Sequence, residues 1–303
     1  MIIEYKFYPP HLGREFLDVY RQIKDERIEA KHKGNKVKNE TLKLALNGLS
    51  GNLQNEYNFC YSPLTVMQIR INGQLLLLML AESFVKLGCT IVQANTDGLF
   101  VLRPKDKDVE FKNICKEWES LTKLVLEEDR FEAMYQFAIN DYLAIKEGYS
   151  KTKNPSFLKT KGMFIDKVKL GKGMDAIIIP EAINKYLADN IPVTDTIYNC
   201  NDINKFITYQ KVSKEYSIEY DNKLIQRINR YYVSIDGPWL YKCKIDSKGR
   251  RYKYIKLLTD SGVTIMNTID NKAELPSNIN YSFYISAAQK IISIFKYKQL
   301  KLF

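Results

Sequence analysis

The chain has 303 residues, 45% of them hydrophobic, enough to bury a core in one large domain or two to three small ones, and its longest apolar run, the seven residues from Leu75 to Ala81, falls short of the ~18 needed to cross a bilayer. Five scattered cysteines without a C-x-x-C pair, and two histidines distant from them in sequence, exclude a structural zinc cluster and a disulfide framework, leaving catalysis to carboxylates, lysines and arginines. The net charge of +11 favours a polyanionic partner, and the 21 tyrosines interleave with lysine, as in Tyr252-Lys253-Tyr254, although an AT-rich coding sequence would enrich the same residues.

The opening MIIEYKFYPP carries Glu4 and Lys6 where a signal peptide needs an apolar stretch, so a cytoplasmic protein without a membrane partner is expected. These first twelve residues read as a strand end stopped by Pro9-Pro10. Phe16, Val19, Tyr20 and Ile23 recur at steps of three and four and predict a helix over 13–33, with Gly34 as its C-terminal cap. Asn39 offers the N-cap of a second helix running through LKLALNGL, and the short link makes the two an antiparallel pair. A long helix is predicted over 65–87, with a buried apolar centre. In TIVQANTDGLFVLR two β-rich runs flank Asp97-Gly98, a hairpin signal. Residues 108–127 read as a helix, and 131–145 and 156–169 as further strands. From about residue 175, short helical stretches at 180–190 and 202–209 alternate with tyrosine- and lysine-rich segments.

On the first helix Arg27 and Lys31 lie four residues apart and share a face; on the second, Lys43 and Asn47 do the same. Counting residues from the expected helix ends puts Arg27 and Asn47 at similar heights in an antiparallel pair. Three cations and an amide would then line one cleft of triphosphate size, with arginine gripping phosphate bidentately and lysine acting as a point charge. On spacing alone, solvated helix faces are the better explanation, since Lys and Arg pairs four residues apart are common.

The string LKLALNGLSG resembles the K-x-x-x-N-[SG]-x-Y-G motif of family B DNA polymerases, with Lys43, Asn47, Gly48 and Gly51 in register. Arg27 and Lys31 resemble the R-x-x-x-K pair on that family's other fingers helix. The resemblance implies that these residues hold the triphosphate of an incoming deoxynucleotide, and that Ser50 and Gly51 lie near DNA. Ser50 stands where the motif has tyrosine, which puts minor-groove checking at this position in question. Further on, ANTDGLF resembles the third palm motif, D-T-D-[SG]; Asp97 matches its metal-binding aspartate, and Asn95 replaces the first aspartate, as in phage-type members. FLKTKGMFI resembles the basic K-x-[KR]-[YG] segment that holds the primer-template duplex, giving Lys159, Lys161 and Gly162 as DNA contacts; a lysine-rich strand edge that blocks aggregation is the structural alternative. Asp141 in AINDYLAI is a candidate accessory metal carboxylate.

The resemblance implies an α+β fold with an incomplete palm (an antiparallel sheet with helices), a two-helix fingers hairpin and a mixed, mainly helical thumb. The expected divisions are 1–12 (palm strand end), 13–59 (fingers), 60–172 (palm) and 173–303 (thumb). It further implies nucleotidyl transfer at a two-metal Mg²⁺ site, with deoxynucleoside triphosphate and primer-template DNA as ligands. The family's other essential aspartate opens D-x-x-S-L-Y-P, a string that does not occur here. An N-terminal polymerase chain carrying that motif and an exonuclease is therefore an expected partner. The alternative is a DNA-binding module or degenerate remnant without catalysis. A reverse-transcriptase-like palm would carry paired aspartates after a tyrosine, which Asn95-Thr96-Asp97-Gly98 does not match.

Overall fold

The computed structural model describes residues 1–167, 175–258, 261–268 and 274–296, and the chain divides into two compact units, Met1–Glu128 and Asp129–Phe303. The fold is α+β, with eight α-helices and antiparallel sheets among the described residues. The expected boundary between residues 172 and 173 lies outside the described residues.

In the first unit, residues 1–12 form turns and a short 3₁₀ helix, Pro10–Leu12, instead of the expected strand end. Without a partner strand nearby, the segment satisfies its backbone locally, through Tyr5 N–H to Met1 O and Phe7 N–H to Ile2 O. Helix α1 spans Glu15–His32. Its end is a Schellman motif: Asn35 N–H bonds Ala30 O, Gly34 N–H bonds Lys31 O, and Gly34 takes the left-handed φ of +70° that the motif requires. Helix α2 spans Lys36–Asn52, capped by Asn35, whose side chain accepts from Lys38 N–H at 3.0 Å. Asn39, the expected cap, lies inside the helix. Asn35 prevails because it sits where the chain leaves the Schellman turn, three residues before an otherwise unsatisfied N–H.

Helix α3 spans Pro63–Lys86, with Pro63 in its first turn, where a missing N–H costs nothing. It joins two separate cores. Its first turns supply Val66 and Ile69 to a cluster with Leu49, Leu53, Phe16 and Tyr20 from the helix pair. Its last turns supply Leu80 and Phe84 to a second cluster. That cluster includes Ile91 from β1 (Thr90–Asn95), Leu99 and Val101 from β2 (Gly98–Leu102), and Trp118 from α4 (Asp108–Thr122). Trp118 Nε1–H donates to Leu76 O at 2.9 Å, and Phe84 and Phe111 stack at 4.3 Å. The outward face of α3 carries Leu64, Met67, Ile71, Leu75, Leu78 and Val85, all exposed. It is one helix long and apolar enough to cross a bilayer by length and composition, a property the search for unbroken apolar runs missed; its inner face is built into both cores.

In the second unit, β3 (Phe131–Ala138), β4 (Asp141–Lys146) and β5 (Leu158–Lys161) form an antiparallel sheet in the order β3-β4-β5, with the one-turn helix α5 (Tyr149–Thr152) between β4 and β5. This sheet is distinct from the two-stranded β1–β2, so the strands expected in one palm sheet form two. Leu143 and Ile145 point into the main core, which is completed by α6 (Ile178–Asp189), α7 (Val193–Tyr198) and α8 (Tyr281–Lys296). Between α7 and α8 lie β6 (Thr208–Lys211), β7 (Ser217–Tyr220), β8 (Lys223–Ile225), β9 (Ile228–Ser234), β10 (Leu240–Ile245), β11 (Arg251–Lys256) and β12 (Gly262–Ile265). They form a four-stranded sheet, β11-β10-β7-β8, and a three-stranded sheet, β12-β9-β6. Ile218 and Leu240 from the first pack on Tyr231 and Val263 from the second. The expected mainly helical thumb is thus corrected: seven strands separate its helices, because valine, isoleucine and tyrosine dense between turn residues favour pleated pairing.

Candidate active site

The α1–α2 hairpin carries the four residues expected to hold a triphosphate. Lys38 Nζ pairs with Glu26 Oε2 at 2.9 Å and fixes the height of one helix against the other. On a helical wheel, Arg27 shares the inward face of α1 with Phe16, Tyr20 and Ile23, and Lys31 lies on the flank away from Glu26. On α2, Lys43 and Asn47 lie on the flank away from Lys38. Lys31 and Lys43 therefore rise on the same side of the hairpin, and both are exposed, as are Asn47, Ser50 and Gly51.

The expected common height of Arg27 and Asn47 is corrected. Because α2 begins at Lys36, Asn47 lies about 17 Å from its start, while Arg27 lies about 8 Å from the end of α1. The polar groups form a track along the hairpin instead of a ring at one level.

Two polar atoms within the hairpin are shielded from solvent and have no partner, Arg27 Nε and Asn39 Oδ1. A buried donor left unsatisfied costs about 1–3 kcal/mol, and in Arg27 that donor lies on the inward face of α1, away from solvent. Burial raises the pKa of the neighbouring Tyr20, and the positive charge of Arg27 acts against that rise.

At the base of the hairpin, Asn47 and Ser50 line a cavity of about 90 Å³ together with Leu49, Leu53, Val66, Ile69 and Arg70. Arg70 went unrecognised in the sequence. Its signal is a lone cation in the apolar run VMQIRINGQLLLL, one turn beyond Val66.

Asp97 stands at the tip of the β1–β2 hairpin. Asn95 pairs with Gly98 in register, so the connecting residues are Thr96 and Asp97, with Gly98 already in β2. The Asp97 carboxylate is exposed and has no hydrogen bond or ion pair among the described residues. Asn95 Oδ1 accepts from Thr96 N–H at 2.7 Å, so the amide replacing the family's first aspartate braces the turn. Exposed carboxylate oxygen suits a hard cation such as Mg²⁺, which takes one or two protein carboxylates and fills its other positions with phosphate and water. Among the described residues no group of three or more His, Cys, Asp or Glu side chains is arranged to hold a metal by itself. The hairpin with Asp97 and the helix pair with Lys43 pack on opposite halves of α3, where Val66 and Leu80 are about 21 Å apart along the axis.

In the second unit Lys159 and Lys161 alternate along β5 and share a face, opposite Ala144 and Tyr142 of β4. Lys159 Nζ lies 3.7 Å from Asp129 Oδ2 and 5.8 Å from the Phe131 ring centre. Lys161 Nζ donates to Asn140 Oδ1 at 3.4 Å and sits over the Tyr142 ring. Asp129 also pairs with Lys146 at 2.8 Å, which holds its carboxyl below the usual range. Gly162 takes φ +59°, and a side chain there would run into the Asp141 carboxylate. Asp141 Oδ1 accepts from Met163 N–H at 2.9 Å, so this candidate metal carboxylate is engaged in holding the Lys161–Met163 turn.

No family model matches the sequence. No curated protein matches it significantly either. The polymerase resemblance therefore rests on the motif residues of the sequence.

Proposed function

We propose that this chain is the C-terminal part of a phage-type, DNA-directed DNA polymerase that uses deoxynucleoside triphosphate and primer-template DNA. The observation that supports the reading is that Lys31 and Lys43 lie exposed on one side of a two-helix hairpin, with Arg27 on the inward face of its first helix, and that Asp97 stands exposed on a β-turn, hairpin and turn being joined by α3. In this reading Lys31 and Lys43 neutralise phosphate, Arg27 adds positive charge from the inward face of α1, and Asn47 orients the nucleotide from above the cavity it shares with Arg70. Asp97 holds Mg²⁺, which would favour 3′-hydroxyl attack and offset the charge of the leaving pyrophosphate. Lys159 and Lys161 contact the duplex through its phosphates.

Two-metal transfer needs a second carboxylate beside Asp97. It comes from a segment bearing D-x-x-S-L-Y-P, in the same or a separate polypeptide, since these 303 residues lack that string. Primer extension tests the reading: the chain alone extends no primer, and adding that segment restores extension. Polymerase-like extension by these residues alone would overturn the divided site. The alternative reading, a DNA-binding module without catalysis, is favoured by Asn95, whose side-chain oxygen is used inside its own turn. It predicts DNA binding without extension in either preparation.

A further inference from the structure

Helix α3 has two faces of different use. Val66, Leu80 and Phe84 are buried on its inner face. On its outer face Leu64, Met67, Ile71, Leu75, Leu78 and Val85 are between 45% and 64% exposed. Their steps of three and four residues, with Glu82 filling the gap before Val85, keep these positions inside a sector of about 80°. The stripe runs about 32 Å from Leu64 to Val85, and no charged residue interrupts the helix between Ile71 and Ala81. An apolar surface of this extent on one element marks an interaction site.

The spacing of the stripe is self-complementary. Leu64 and Val85, Met67 and Glu82, and Ile71 and Leu78 each lie at equal distances from the midpoint between Gln74 and Leu75. A second α3 laid antiparallel on the first, about a two-fold axis through that midpoint, sets Leu64 against Val85 and Ile71 against Leu78, and brings Leu75 to its own counterpart. Steps of three and four residues suit a shallow crossing of about 20°, which keeps the whole stripe in contact. The polar residues fit the same register. Gln68 and Glu82, both exposed, lie toward one flank, and the two-fold brings like flanks together, so the Gln68 amide of one copy can donate to the Glu82 carboxylate of the other. Gln74, on the other flank beside the axis, faces its own counterpart. Polar groups at a seam select one orientation over the others. Six side chains per copy, each losing roughly 100 Å² of accessible surface, bury about 1,200 Å² over the pair, the lower end of the range for stable interfaces.

We propose that α3 is a dimerisation helix, its outer face taking the α3 of a second copy of this chain in antiparallel orientation. A lipid surface would accept the apolar side chains but would leave the Glu82 carboxylate within the stripe without a partner, where the second copy supplies an amide. The inference does not rest on the function proposed above.

The test is sedimentation velocity of the full chain over a range of concentrations, with circular dichroism to confirm that each variant folds. The unmodified chain should sediment at twice the chain mass. Ile71→Glu and Leu78→Lys each place a charge in the seam at an exposed position, and each should raise the dissociation constant about a hundredfold or more. The double variant Ile71→Glu/Leu78→Lys should recover to within about tenfold of the unmodified chain, because in the antiparallel pair its opposite charges face each other. In a parallel pair each charge would face its like, and no recovery would follow. Ile235→Glu, at an exposed apolar position in the second unit, should change nothing. A chain that stays monomeric at about 50 μM, above the micromolar dissociation constants expected of the weakest such interfaces, overturns the proposal. So does a dimer that Ile71→Glu leaves intact, or a double variant no better than the single ones. Loss of phosphatidylserine-vesicle binding, or of binding to a segment bearing D-x-x-S-L-Y-P, by Ile71→Glu in a monomeric chain would show a different occupant and overturn it as well.

Discussion

Asp141 Oδ1 receives the N–H of Met163 at 2.9 Å, across a gap kept open by Gly162. One carboxylate thereby ties the start of β4 to the turn that follows the two lysines of β5. Removing the acceptor leaves an N–H with no partner, at a cost of about 1–3 kcal/mol. Asp141→Ala should destabilise the chain by that amount in urea unfolding, while Asp141→Asn, whose amide oxygen can still accept, should lose much less. If the carboxylate also serves a metal, Asp141→Asn will lower magnesium-dependent extension at unchanged stability; a purely structural role leaves extension intact.

Gly162 is the partner of that arrangement. At φ +59° a side chain is strained, and its Cβ would meet the Asp141 carboxylate and the Asn140 carbonyl. Gly162→Ala should cost more than about 2 kcal/mol by urea denaturation, since the neighbours are a backbone atom and a short, hydrogen-bonded side chain. A loss below about 0.5 kcal/mol would mean that the turn relaxes freely and that the Asp141 contact is dispensable.

Lys43 and Asn47 are exposed on α2, so replacing either with alanine should change stability by less than about 0.5 kcal/mol. In an extending complex Lys43→Ala should raise the apparent KM for nucleotide by about ten- to a hundredfold, the loss expected for one charge-assisted phosphate contact. Arg70→Ala should act with Asn47, because both line one cavity. Steady-state kinetics on the single and double variants decides whether their effects couple. An unchanged nucleotide KM in Lys43→Ala counts against the helix pair as the triphosphate site.

Glu181 on α6 illustrates a pH dependence whose sign is fixed by its partners. Burial pushes its pKa upward, but Lys185 at 2.8 Å and Lys205 at 2.7 Å together outweigh burial and hold it below the ordinary glutamate value. A carboxyl with a depressed folded-state pKa contributes stability above its unfolded pKa and loses it as pH falls through the folded one. Urea midpoints measured from neutral pH downward should fall along that limb. In Lys205→Met the fall should be smaller and should level off at higher pH, since with one of the two cations gone the folded-state pKa lies closer to the unfolded one. Superimposable profiles would show that Lys185 alone sustains the depression.

The α1–α2 hairpin was legible because its signals are local. Periodic Phe16, Tyr20 and Ile23 mark one helix, and Gly34 marks its end through a backbone conformation few other residues accept. The second start was misplaced by one turn because Asn35 and Asn39 have the same chemistry, and only the geometry of the chain reversal distinguishes them. The seven strands after α7 were hidden for a different reason. Arg251–Lys256 is exposed at every position, so it carries no apolar alternation to read. The hairpin turn at Asp97 was legible from Asp97-Gly98, yet Asn95 as the brace of that turn appears only once Thr96 N–H is seen to donate to it. Arg70 was passed over because one charge inside an apolar helix carries no spacing signal; its relation to Asn47 is tertiary.

The most direct measurement compares Asp97→Ala with the unmodified chain, each combined with a segment bearing D-x-x-S-L-Y-P, reading primer extension and duplex binding on the same samples. Asp97 is exposed and makes no contact that folding requires, so the variant should fold and bind DNA as before. The account predicts that extension falls at least about a thousandfold while binding stays within about twofold, as expected when a metal-holding carboxylate is lost from a two-metal site. Extension undiminished in Asp97→Ala would contradict it.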